Sequence, residues 1–230
     1  MSLSACVAFN DFMSPHSWPM DRLSWPTPGR LAVAIGIAIA ILAIEGLRVI
    51  HAGTPPSHWN LDADWIDDDG WTFPALFTTL LLCSAGVCGF VAGRWRLAGA
   101  GLSWYLLGAL LFWMGLDEGL AIHERFEDMS GVDWQLLYIP VVAFGAAAWA
   151  AVVLRMSSWK RERVWMVLGA VAWFIAQVLE ATQWAGDRRV SSYDAQMFTE
   201  EILEMCGSAL FLLALYSVLV AVRRRRELSA

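Results

Sequence analysis

Along the chain, apolar residues follow neither a helical nor a strand alternation with polar ones; they fall into long blocks separated by short polar breaks. A helix needs about 20 mostly apolar residues to cross roughly 30 Å of hydrocarbon. Six blocks qualify: 31–50, 73–92, 98–122, 134–154, 164–184 and 198–222. The pattern therefore predicts an all-α fold, a polytopic integral membrane bundle of six transmembrane helices across 31–222. A tail at 1–30 precedes it and a basic tail at 223–230 follows. The breaks are short, so consecutive helices are expected to pack as antiparallel neighbours. Crossing uses nearly all of the chain and leaves no room for a soluble catalytic domain.

Composition supports the same class. Of 230 residues, 58% are hydrophobic and only 17% charged, and the mean hydropathy of +0.51 is far from that of an ordinary soluble domain. The basic residues set the direction, because short loops rich in Lys and Arg stay cytoplasmic. On one side lie Arg22, Arg30, Arg94, Arg96, Arg155, Lys160, Arg161, Arg163 and the run Arg223 to Arg226; on the other only Arg48, Arg125, Arg188 and Arg189. Both termini are thus predicted to be cytoplasmic, with a bacterial inner (plasma) membrane as the expected location. Pro15, Pro19, Pro26 and Pro28 interrupt the first thirty residues, which lack the apolar core of a cleavable signal peptide. Trp95, Trp104, Trp159 and Trp165 are expected to anchor inner loop ends, and Trp71, Trp134 and Trp184 the outer interface. Cys6, Cys83, Cys88 and Cys206 lack metal-thiolate spacing and read as packing residues. A net charge of −6 argues against a nucleic-acid partner, which requires a basic face.

The acids carry the candidate chemistry. Glu45, Asp117, Glu118, Glu124, Glu180, Glu200, Glu201 and Glu204 all fall near the outer ends of spans. A charge deep in a span costs roughly 2.5–3.5 kcal/mol on the insertion scale, so acids at one depth are expected to pair or to face water. Helical spacing puts Asp117 and Glu124 on one face and His123 with Glu127 on an adjoining one. Glu200, Glu201 and Glu204 form an acidic edge on the sixth span, and Gln177, Glu180 and Trp184 share a face of the fifth. So many acids with few cations repel one another unless protonated or metal-bound. Carboxylates with one or two His suit a divalent ion: oxygen donors for Mg, Ca or Mn, oxygen with imidazole for Zn or Fe. The expected cofactor is a divalent metal ion (Zn, Fe, Mn or Ca) held by Asp117, His123, Glu124, Glu180 and Glu204. Glu118 or Glu45 would be the catalytic general base, and Arg48, His51, Gln177, Glu200 and Glu201 the supporting polar groups.

Plainer roles stand beside these. Glu200 and Glu201 suit the positive N-terminus of their helix, Arg48 can pair with Glu45 on the same face, and His51 sits at an interface. The Glu-x-x-His spacing of di-metal carboxylate bundles is not met, since Glu118 and His123 are five apart. Glu45-Gly46-Leu47 before Ile50-His51, and Glu118-Gly119-Leu120 before Ile122-His123, are a faint sign of a duplicated hairpin. Asp62, Asp64, Asp67, Asp68 and Asp69 lie in an outer loop, but counting back from Gly70 puts Trp65 where a calcium loop needs its first acid.

Three function classes follow. The first is a divalent-metal-dependent membrane enzyme, hydrolytic or redox, acting on a lipid or amphiphile taken from the bilayer. The second is an accessory or assembly subunit whose polar outer end docks a membrane-protein partner or a second copy, its small residues permitting close helix contact within the fold or with another subunit. The third is a cation- or proton-coupled transporter or channel. The inner halves of the spans hold few polar stepping stones, chiefly Thr78, Thr79, Ser103 and Ser217, which weighs against the third.

Overall fold

The computed structural model describes residues 26–52, 73–95, 97–99, 101–132, 134–185 and 188–229. The N-terminal tail to residue 25 and the acidic loop 53–70 lie outside the described residues, as do the side chains of Glu45, Arg48, His51 and Glu124. Seven α-helices are described: α1 Pro28–Ala52, α2 Phe73–Arg94, α3 Gly101–Leu120, α4 Ile122–Ser130, α5 Trp134–Arg155, α6 Lys160–Glu180 and α7 Tyr193–Glu227. A 3₁₀ turn, Leu97–Gly99, joins α2 to α3. Between α6 and α7, Trp184–Ala185 (β1) pairs antiparallel with Arg188–Arg189 (β2).

Four of these helices, α2, α5, α6 and α7, are long and apolar enough to cross a membrane, as in a multipass membrane protein. Residues such as Leu80, Val87, Val142, Phe144, Leu154 and Phe174 point outward at half exposure or more. In water such a surface would aggregate; against acyl chains it is expected. α3 has the length of a crossing, but Asp117 and Glu118 in its last turn lower its hydropathy.

Small residues decide which helices meet. In the absence of a hydrophobic drive between helices in lipid, close van der Waals approach favours Gly and Ala at contacts. A Cβ placed on Gly89 would lie 2.7 Å from the Gly108 Cα, and one on Gly108 would lie 2.9 Å from the Gly86 carbonyl oxygen. Glycine thus lets α2 and α3 pack backbone to backbone. Gly169 and Gly207 do the same for α6 and α7, each Cβ position being 3.0 Å from the other's carbonyl oxygen. α7 also packs on α2 and α1, so it is the central strut of the bundle. Leu82, Leu107, Leu111, Met166, Leu215 and Val218 fill the core between them.

Three expectations need correction. Consecutive helices do not pair throughout: α5 leans mainly on α3 and barely touches α6, while α1 lies against α7. The glycine seams explain this, because the closest approaches are available to the α2–α3 and α6–α7 pairs. The third span is not one unbroken helix to Ile122. It ends at Leu120, Ala121 takes φ 46°, and α4 restarts at Ile122, so helical face arithmetic does not carry from Asp117 to His123 and Glu124. Trp104 is not an interfacial anchor either. It is fully buried and donates its indole N–H to the Leu97 carbonyl at 3.0 Å, which satisfies its one polar atom inside the core.

The bundle ends differ in charge. At one, Arg226 stacks over Trp95 at 4.8 Å and Arg161 over Trp165 at 4.7 Å, while the Tyr216 hydroxyl donates to the Pro26 carbonyl at 2.7 Å. The acidic residues gather at the other.

Candidate functional site

The break at Ala121 builds the centre of the acidic end. Breaking the helix after Leu120 frees backbone N–H groups at the start of α4, and Asp117 takes one of them: the His123 N–H donates to Asp117 Oδ1 at 3.0 Å. The turn also brings the imidazole back onto the same carboxylate, with His123 Nδ1 3.1 Å from Asp117 Oδ2. From α5, the Tyr138 hydroxyl donates to Asp117 Oδ1 at 2.8 Å. Asp117 is buried and both of its oxygens are engaged, so it locks α3, α4 and α5 into one geometry.

His123 lies beyond the end of α3, and its acidity is strongly perturbed. Burial alone would lower its pKa. The hydrogen bond and charge of Asp117, with the fields of Glu180 and Glu118, outweigh that and push it up to about 9. At neutral pH it is an imidazolium whose Nδ1–H donates to Asp117, and it offsets part of the surrounding negative charge.

Around this pair stand acids from three helices. Glu118, on α3, has Glu201, His123, Glu180 and Asp117 as its electrostatic neighbours. Glu204, one turn further along α7, is buried and feels Glu118, Glu200, Glu201 and Glu180. Glu200 accepts a hydrogen bond from the Gln183 side chain. Glu201 holds Oε2 out of solvent with no hydrogen-bond partner among the described residues, a state a carboxylate oxygen seldom keeps without an ion or a proton. The Gln177 backbone carbonyl accepts from Gln135 Nε2 at 3.4 Å.

Of the residues singled out from the sequence, Asp117, Glu118, His123, Glu180, Glu200, Glu201 and Glu204 therefore lie within one another's electrostatic reach. The side chains of Glu45, Glu124, Arg48 and His51 lie outside the described residues. Among those described, no three His, Cys, Asp or Glu come close enough to hold an ion between them. Tyr138 and Gln183 were not anticipated. Tyr138 had a readable signal, since Gln135 and Tyr138 put two polar groups one turn apart at the start of an otherwise apolar block. Gln183 had none, because its position depends on the ribbon that follows α6.

No curated protein and no solved structure matches the chain. Residues 29–219, which run from the start of α1 to within two turns or so of the end of α7, match the model of the family described as Domain of unknown function (DUF8692), and the chain belongs to that family.

Proposed function

We propose that this is a six-span membrane enzyme with both termini cytoplasmic and a divalent-metal site at its outer end, acting on a lipid or other amphiphile that enters from the bilayer. One observation carries the reading: the buried Glu201 Oε2 has no described partner while Glu118 and Glu180, from two other helices, stand in its electrostatic field. Like charges held together in a low-dielectric bundle must be offset by protons or by a cation. A divalent ion suits oxygen donors of this kind. By donor chemistry the residues fit such an ion, and its binding would draw them closer than they lie here.

The roles then differ from a simple list of acids. Glu118, Glu180, Glu201 and Glu204 are the proposed ligands. Asp117 is a positioning residue, since His123 and Tyr138 already occupy its oxygens. His123, held by Asp117, is placed to give a proton to a leaving group. A bound ion supplies Lewis acidity and an acidified water. The exposed apolar faces of α2, α5 and α6 supply the bilayer contact from which an amphiphile arrives.

The test is turnover. Purified protein in liposomes of mixed phospholipid and ceramide-type amphiphiles, followed by mass spectrometry, is expected to generate products that a chelator abolishes. Glu118→Gln, which removes a proposed ligand of that ion, should slow them about 100-fold or more. No products from any amphiphile, with metal supplied, would remove the enzyme reading.

A second reading is favoured by α5, which leaves Leu136, Ile139, Val142 and Phe144 uncovered and packs on little but α3. It is an assembly subunit whose α5 docks a membrane partner or a second copy. Co-purification of a stable stoichiometric complex from gently solubilised membranes would support it, and a monomer alone would count against it.

A further inference from the structure

The basic end holds a cavity of about 290 Å³ between the start of α1, the start of α6 and the last turns of α7. Pro28, Gly29, Arg161, Glu162, Ser217 and Arg224 supply its polar boundary and backbone, and Val220 and Ala221 make an apolar wall. Ser217 is 4% exposed, and its hydroxyl oxygen is buried with no hydrogen-bond partner among the described residues. A buried hydroxyl in that state calls for a partner, and Ser217 belongs to the lining of this cavity.

The charge at this place is defined. Glu162 is buried and taken up by Arg161, whose Nη2 lies 2.8 Å from Glu162 Oε1. The acid is therefore already compensated, and Arg224 stands exposed at the rim as added positive charge. Gly29 lies in the first turn of the 25-residue helix α1, where N–H groups have no intrahelical acceptor and the helix end is positive. A Cβ on Gly29 would meet nothing within 4 Å, so the approach to that backbone is open. Arginine and an N-terminal helix turn offer donors only, and a serine hydroxyl can turn its O–H to donate; together they suit the oxygens of a phosphate. The apolar wall and the neighbouring Trp165, under the Arg161 guanidinium, put the cavity at the headgroup level of a bilayer.

We propose that this cavity binds a phosphate group, and that its source is the headgroup of an anionic phospholipid of the cytoplasmic leaflet. Basic pockets between spanning helices on that side are suited to such lipids. The phosphate oxygens would take Ser217, Gly29 and Arg224, while the glycerol and first acyl carbons lie along Val220 and Ala221. The site is remote from the acidic end and does not depend on the chemistry proposed there; its leaflet rests on the orientation proposed above.

The test uses the full chain purified in a neutral detergent and titrated with phosphatidylglycerol, phosphatidylcholine or inorganic phosphate, read as a saturable rise in melting temperature. Phosphatidylglycerol is expected to give the rise and phosphatidylcholine none. Arg224→Ala should weaken half-saturation roughly 5-fold, as expected for one arginine near an anionic lipid, and Ser217→Ala should weaken it by about 10-fold or more, the loss of one hydrogen bond to a charged group. Should Ser217→Ala fail to fold, Arg224→Ala changes only a rim residue and must still weaken binding. A rise with inorganic phosphate equal to that with the lipid would support the anion site and overturn the lipid as its source. Equal responses to the two phospholipids, or unaltered phosphatidylglycerol binding in the Arg224→Ala protein, would overturn the proposal.

Discussion

Asp117 does three things with one carboxylate: it caps the start of α4, pairs with His123 and accepts from Tyr138. Its removal should be read out through pH. The folded pKa of His123 is about 9 against an ordinary 6.5, so folding favours the protonated ring. The stability this contributes is full below about pH 6.5 and is lost as pH rises through about 9. Over that window the shift corresponds to something on the order of 3 kcal/mol. Thermal melts of the wild type between pH 6 and 10 are expected to fall accordingly. Asp117→Asn should be less stable at pH 6 and nearly flat across the range; an undiminished slope would show that the other acids, not Asp117, hold the proton. The importance of Asp117 was legible in the sequence, because an acid a turn inside a span demands a partner. Its actual partners were not, since they depend on a positive-φ residue at Ala121 that no spacing rule announces.

Helix pairing follows from where glycine permits contact, and glycine substitutions should sort by seam. Gly108→Leu drives a side chain into the Gly86 carbonyl and the Phe90 backbone nitrogen, each 2.9 Å from its Cβ position. Backbone cannot yield as a flexible side chain does, so a loss of about 3 kcal/mol or more is expected. Gly36→Leu meets open space and should change stability by less than about 1 kcal/mol, with helix propensity in its favour. Denaturation of both in the same detergent checks the contrast, and equal losses would contradict the seam. Most element boundaries were readable because a block long enough to cross is a strong signal: the blocks at 73–92 and 134–154 became Phe73–Arg94 and Trp134–Arg155. The neighbours of each helix were less so. Gly86, Gly89 and Gly108 are visible as small residues, yet the sequence does not say which other helix each faces.

The whole molecule is polar from end to end, with arginines gathered at one pole and acids at the other, and an apolar girdle between them. That arrangement was largely present in the order of charges along the chain, because alternate breaks carry opposite signs. The six crossings proposed from it make a topological prediction. In protein with its native cysteines replaced by Ala, a cysteine at Ser130 should react with an impermeant reagent from outside, and one at Ser158 only after permeabilisation. These two exposed positions flank α5, so labelling from the same side would contradict the topology. Convergence of acids from α3, α6 and α7 at one pole is what a sequence could suggest but not place, since it depends on α6 and α7 closing over Gly169 and Gly207 and on α7 packing against α2, the partner of α3. The central claim is that a divalent ion holds those acids together. Elemental analysis of protein purified without chelator or added metal tests it most directly. About one equivalent of Zn, Fe, Mn or Ca per chain is expected, falling to background in Glu118→Gln with Glu201→Gln, as at least two carboxylate ligands are lost. Metal-free protein whose stability is unchanged by chelator or by added metal would contradict the account.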